Sequence, residues 1–303
     1  MEVKRVINYI NENNIGTYKE NISLSKCTTY KVGGEAKLMV WPNSINDLSS
    51  LLDMLNKEKI KYKVLGNGSN VIFSDQIYDG VIIKLDELNN IEINDTTVVV
   101  GAGVSLVKLS YKVASEGLSG LEFAAGIPAT IGGAVYMNAG AYKSDMSEVV
   151  NEVKVLTPDL EIITMKNNEL EYSYRSSFFQ RHPNYICLEA TLELSHGNKD
   201  EIREIIESRR EKRLETQPLE YPSAGSVFRN PEDNYAGKLI EDCNLKGYKI
   251  GGAEVSIKHA NFIINSNNAT AEDVRSLIKY VHDTVLEKTG YDLKVEQEFI
   301  NWE

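Results

Sequence analysis

Residues 44–60, SINDLSSLLDMLNKEKI, place leucines at 48, 51, 52 and 55, the spacing that lays one apolar stripe along a helix. Ser44 stands ahead of it as an N-cap, with Asp47 at the third helical position. The same grammar recurs at 105–120, opened by Ser105 and closed near Gly117. At 270–290, Val274, Leu277, Ile278, Val281 and Val285 share a face, and Gly290 suits the C-terminal cap. A helix over 200–213 carries acids early and bases late, the order that the helix dipole favours. Another, over 234–247, turns Leu239, Ile240 and Cys243 inward.

Short apolar or alternating runs predict strands at 61–66, 71–73, 80–85, 96–104, 148–158, 161–165, 185–194, 259–265 and 293–300. Strands and helices follow one another irregularly, so the pattern predicts an α+β fold rather than a doubly wound sheet. The segment 121–142, LEFAAGIPATIGGAVYMNAGAY, fits neither class. It is poor in helix and strand formers, yet too apolar for a surface loop. It reads either as a tight internal turn or as backbone laid against a flat ligand, where side chains would obstruct; the glycines clustering with Asn138 favour the second.

A chain of 303 residues calls for two or three lobes rather than one core. The 44 acidic against 33 basic residues, a net charge of −11, argue against general nucleic-acid or anionic-membrane binding. A phosphate ligand must then be held locally, by amides or a few placed cations. Cys27, Cys187 and Cys243 are odd in number and far apart, which supports neither a disulfide framework nor a thiolate metal site. The opening residues read as no signal peptide, and no apolar run reaches membrane-spanning length, so the expectation is a cytoplasmic protein.

Five motifs carry candidate chemistry. In VLGNGSNVIF, the successive amides of Gly66, Asn67, Gly68, Ser69 and Asn70 form either an anion nest or a plain hairpin turn. GAGVSL at 101–106 is not a dinucleotide fingerprint, because Leu106 stands where the third glycine belongs. YSYRSSFF sets Arg175 among aromatics, as a clamp for a carboxylate or phosphate or as a surface arginine lying over tyrosines. YPSAGSVFRNP offers Ser226, but His182, His196, His259 and His282 fit no triad signature, so the local reading is a tight turn with a capping serine. In LKVEQEFI, Glu296 and Glu298 lie two apart on a predicted strand and therefore on one face.

Taken in order along nearly the whole chain, TTYKVGG, VLGNGSNVIFSD, GLEFAAGIPATIGGAVYMNAGAY, YSYRSSFF, QPLEYPSAGSVFRNP, AGKLIEDCNLKGYKIGGAEVSIKHANFIIN and LKVEQEFI resemble the UDP-N-acetylenolpyruvoylglucosamine reductase family, in its shorter-loop subtype. The resemblance implies an FAD-binding region of two α+β subdomains of the vanillyl-alcohol-oxidase-like (PCMH-like) type, here 1–83 and 84–212, and a substrate-binding domain at 213–303. It implies non-covalent FAD held by Gly66, Asn67, Gly68, Ser69 and Asn70 and by the run containing Gly126, Ile127, Pro128, Gly132 and Gly133. NADPH would be the co-substrate, and no metal, membrane or nucleic acid would take part. By the same resemblance a hydride reaches the methylene carbon of the enolpyruvyl group and leaves an enolate. Arg175 would stabilise that charge, Ser226 would deliver the proton to C2, and Glu296 would donate a hydrogen bond. Such a glutamate must hold a proton, which calls for an apolar or anionic setting. Tyr174 and Asn230 fall at positions expected near substrate. Where many relatives carry arginine and glycine, this chain has Glu298 and Asn301, so Glu298 competes with Glu296 for the role. The rival readings are a flavin-dependent oxidase of the wider fold and a sugar-nucleotide-binding module without catalysis.

Overall fold

The computed structural model describes residues 3–302. Its chain forms two compact units, each threaded from separate stretches. The first takes 3–20 together with 37–67 and 79–211; the second takes 21–36, 68–78 and 212–302.

The first unit is built on a five-stranded antiparallel sheet, in the order Ile162–Lys166, Val150–Leu156, Ile186–Glu193, Thr97–Gly101, Ile91–Asn94. A four-stranded sheet runs Gly16–Ser23, Glu35–Pro42, Tyr78–Ile83, Tyr62–Val64. Helix Ile45–Lys57 starts where the sequence places it: Ser44 Oγ accepts from the Asp47 amide at 3.1 Å, and Leu48, Leu51, Leu52 and Leu55 are all buried. Helix Leu106–Ser115 is likewise capped by Ser105, with Gly117 left-handed just past its end. The glycines of GAGVSL answer to packing. A Cβ on Gly103 would stand 2.0 Å from the Leu85 carbonyl oxygen, and one on Gly101 2.2 Å from that of Leu88.

The second unit has its own core, centred on the helix Ala271–Thr289, whose Val274, Leu277, Ile278, Val281 and Val285 are buried. Thr270 caps this helix, and the Asp75 carboxylate accepts from the amides of Ala271 and Glu272 at 2.9 and 3.0 Å, an anion on the positive end of the dipole. Strands Lys249–Ile250, Ala253–Val255 and Ile263–Asn265 form a small sheet. Glu298–Ile300 pairs in parallel with Val71–Phe73.

Four expectations are corrected. The glycine-rich segment contains a helix, Ile131–Met137, because Thr130 caps its first turn, Ile131, Ala134 and Val135 bury one face, and Asn138 ends it in the left-handed region. The GNGSN turn is not a hairpin, since Tyr62–Val64 pairs with Tyr78–Ile83 while Val71–Phe73 pairs with Glu298–Ile300. The helix expected over 234–247 spans only Ala236–Asp242. The last predicted strand shrinks to Glu298–Ile300, because the backbone bends at Gln297. The helix Val3–Asn13 and the strands Gly16–Ser23 and Glu35–Pro42 were not foreseen, since the pattern there is short and mixed.

Candidate active site

In the first unit, Gly66 and Asn67 lie against the glycine-rich run. A Cβ on Gly66 would stand 2.6 Å from Thr130 Oγ1, and Asn67 Nδ2 donates to the Pro128 carbonyl at 3.2 Å. Thr130 Oγ1 accepts in turn from the Gly133 amide at 3.2 Å, and Lys84 Nζ donates to the Gly66 carbonyl. In the second unit, Gly68 is left-handed at φ 64°, and a Cβ there would stand 2.3 Å from the Cys27 carbonyl oxygen. The Gly68 carbonyl accepts from the Thr29 amide at 3.1 Å. Among the described residues the amides of Gly66, Asn67, Gly68, Ser69, Ala125 and Gly126 donate to no acceptor. Backbone amides without an acceptor are the complement of a pyrophosphate, and in the first unit those of Gly66, Asn67, Ala125 and Gly126 fit the flavin dinucleotide implied by the resemblance.

Gly68→Ala tests how much of this turn is forced. An L side chain in the left-handed region costs about 1–2 kcal/mol before the Cys27 carbonyl has to move. The expected result is a lower melting temperature and weaker FAD uptake; a variant that melts and loads like the wild type would show that the turn tolerates a side chain.

Arg175 occupies a tight turn in the first unit. Ser173 and Ser176 exchange amide–carbonyl hydrogen bonds, both 3.0 Å, and Arg175 between them has φ 55° without being glycine. Its surroundings impose that conformation. Asn138, buried at 1% exposure, donates through Nδ2 to the Ser173 carbonyl at 3.0 Å, while its Oδ1 accepts from the Ser147 amide at 3.0 Å. Ser177 Oγ donates to the Tyr136 carbonyl at 2.7 Å, and Gln180 Nε2 to the Arg175 carbonyl at 3.1 Å. The side chain is aimed by a 2.7 Å hydrogen bond from Nη2 to the Gly140 carbonyl, with the guanidinium 5.2 Å from the Tyr174 ring centroid. Strain held in place by several buried contacts is characteristic of functional positions.

Ser226 and Glu296 come together in the second unit. Gly225 is left-handed at φ 74° with no atom within 4 Å of where a Cβ would lie. The Ser226 hydroxyl has no hydrogen-bond partner among the described residues, so the capping-serine reading fails. The loop just beyond is anchored by buried Asn261: its carbonyl accepts from the Val227 amide at 2.9 Å, Oδ1 from the Phe228 amide at 3.0 Å, and Nδ2 donates to the Phe228 carbonyl at 2.8 Å. The Glu296 amide donates to the Val227 carbonyl at 2.8 Å, and Asn70 Nδ2 donates to the Glu296 carbonyl at 3.1 Å. The bend at Gln297 separates Glu296 from the strand that Glu298 begins, so strand alternation does not place these two carboxylates on one face. Asn230 caps a helix, its Oδ1 accepting from the Ala236 amide at 3.1 Å. Tyr174, in the first unit, is 51% exposed.

None of the histidines hydrogen-bonds to Ser226. Burial holds the His259 imidazole below its usual pKa, and its Nδ1 accepts from the Asn261 amide at 3.2 Å. Among the described residues no group of three His, Cys, Asp or Glu side chains is arranged to hold a metal, and no helix is long and apolar enough to cross a membrane.

The chain is 48% identical over 288 residues to the UDP-N-acetylenolpyruvoylglucosamine reductase of Anoxybacillus flavithermus, an alignment spanning 95% of each protein. It belongs to the UDP-N-acetylenolpyruvoylglucosamine reductase family. The reductase of Bacillus subtilis is 43% identical over 299 residues, covering 98% of this chain and 99% of that one. The crystal structure of the Thermus caldophilus reductase superposes with a TM-score of 0.81 at 34% identity, over 93% of this chain and 99% of that one. Residues 36–166 match the FAD binding domain model, and 217–300 match the reductase C-terminal domain. The α+β, PCMH-like fold expected from the sequence is therefore the fold of this reductase family. Asn261 and Gln297 carried no signal in the sequence, and Asn138 stood out only as a polar residue inside a glycine–alanine run.

Proposed function

We propose that this protein reduces UDP-N-acetylenolpyruvoylglucosamine to UDP-N-acetylmuramate in peptidoglycan precursor synthesis, as a cytoplasmic enzyme with NADPH as reductant. In balance, NADPH and one proton are consumed, the enol ether gains two hydrogens, and NADP⁺ leaves. Bound FAD supplies the hydride that reaches the methylene carbon of the enolpyruvyl group. Segments 1–83 and 84–212 serve as its two binding subdomains, with the amides at 66–70 and the 126–133 backbone holding it. Segment 213–303 receives the substrate, with Asn230 and, from the flavin-binding region, Tyr174 beside it.

The remaining chemistry belongs to side chains. Arg175 meets the negative charge that develops over C2 and the carboxylate, and a guanidinium cannot neutralise itself by losing a proton. Ser226 gives its proton to C2, and Glu296 donates a hydrogen bond to the enolate. One observation supports this reading: among the described residues Ser226 presents a hydroxyl with no hydrogen-bond partner, from a loop whose flanks are anchored by buried amides. A proton donor for an enolate carbon needs that arrangement, and it needs no histidine.

Stopped-flow absorbance tests the reading in two steps: NADPH should bleach the flavin, and the enol ether should restore its colour. Rapid recovery with oxygen and none with the enol ether would identify an oxidase instead; colourless protein that takes up no FAD would leave a binding module. The two glutamates separate in the second step. Glu296→Gln should slow substrate reduction by about 10²-fold or more, with Glu298→Gln close to wild type. The reverse ranking would transfer the role to Glu298.

A further inference from the structure

Ala224, Gly225 and Ser226 make no backbone–backbone hydrogen bond among the described residues. The chain is tied immediately before them, where the Asn265 amide donates to the Pro222 carbonyl, and immediately after, at Val227. Across the gap a single side chain reaches in. Gln297, 4% exposed, directs Nε2 at three carbonyl oxygens: Ala224 at 3.1 Å, and Gly225 and Ser226 at 3.5 Å each. The residues on either side of Gln297 are themselves fixed, Glu296 through its amide to Val227 and Glu298 through its amide to the Asn70 carbonyl at 2.9 Å. The other end of the amide, Oε1, is buried and has no hydrogen-bond partner among the described residues.

We propose that Gln297 is a positioning residue for the substrate-reducing step: its buried amide holds the peptide planes on both sides of Ser226, and so aims the hydroxyl, in fixed register with the Glu296 segment. The inference rests on the function proposed above. The chemistry of the site requires an amide. Three converging carbonyl oxygens call for a donor, so an apolar side chain leaves the loop untied and a carboxylate at 297 faces three oxygens of like partial charge. Gly225, left-handed and with open space where a side chain would be, supplies no steric restraint of its own.

The test uses the FAD-loaded full chain and two variants, Gln297→Leu and Gln297→Glu. Both should be reduced by NADPH at the wild-type rate, while reoxidation by the enol ether slows about 10- to 100-fold, the penalty of a misplaced reacting group. Hydrogen exchange of the Val227 amide, which the tied loop holds on the Asn261 carbonyl, should quicken about two- to tenfold, the loss of one net hydrogen bond. Gln297→Glu should regain part of its reoxidation rate as the pH falls and its carboxyl recovers a donor, a response that lost packing would not give. If Gln297→Leu does not fold, Gln297→Glu carries the same comparison across pH. Wild-type reoxidation rates and wild-type exchange in the variants would overturn the inference, even with a lowered melting temperature. Wild-type protein that NADPH reduces but the enol ether does not reoxidise would instead overturn the functional reading, and this inference with it.

Discussion

Ser226→Ala should abolish turnover of the enol ether while leaving the bleaching of flavin by NADPH intact. The substitution removes one oxygen whose only visible use is outward, because no group in the described chain hydrogen-bonds to it. Folding should therefore be unaffected, and melting temperature is the control. Proton delivery by a placed acid contributes about 10²–10⁴ in rate, so the second half-reaction should slow by that factor. Ser226→Cys would distinguish a proton source from a shape requirement, since a thiol restores a donor of different size. Equal damage to both half-reactions would mean that the serine shapes the flavin site.

Arg175 gives the second large effect, and it should dissociate stability from activity. The residue sits at φ 55°, where asparagine is more at ease than arginine. Arg175→Asn should relieve that strain and keep the melting temperature level or higher. The substrate step should still fall by about 10²–10³, the loss expected on removing a preorganised charge-stabilising donor. Arg175→Lys keeps the charge but loses the planar fork resting on Gly140 and Tyr174, and should recover only part of the rate. A rate for Arg175→Asn within the normal range would remove this residue from the mechanism. A simultaneous fall in stability would show that the arginine serves the fold.

Much of the fold was legible because its signals are local. Ser44 and Ser105 each announce a helix by a hydroxyl followed by an amide that it can accept from, and the leucine and valine stripes of these helices and of 270–290 are buried as their spacing requires. The misreadings share one cause. In 131–137 the glycines and alanines hide a helix that a single threonine cap and three buried side chains stabilise from outside the composition. In GNGSN the turn residues are those of a hairpin, but each flanking strand finds its partner far along the chain, and that competition cannot be read locally. The site was legible as motifs rather than as geometry. Ser226, Arg175 and Glu296 stood in recognisable segments, whereas Asn261 and Gln297 bond to the loop around Ser226 from 35 and 71 positions away and leave no local pattern.

The pairing of Glu298–Ile300 with Val71–Phe73 also sets a clock on biosynthesis. A ribosome adding about 5–20 residues each second delivers Ile300 roughly 10–50 s after Phe73 has been made. During that interval the apolar side chains of Ile72 and Phe73, both fully buried in the finished protein, wait on a nascent chain without their partner strand. The helix Ala271–Thr289, whose first amides the Asp75 carboxylate will accept, is equally late. The second unit therefore cannot mature in step with synthesis, and its earliest apolar segments stay open to aggregation until translation is almost done.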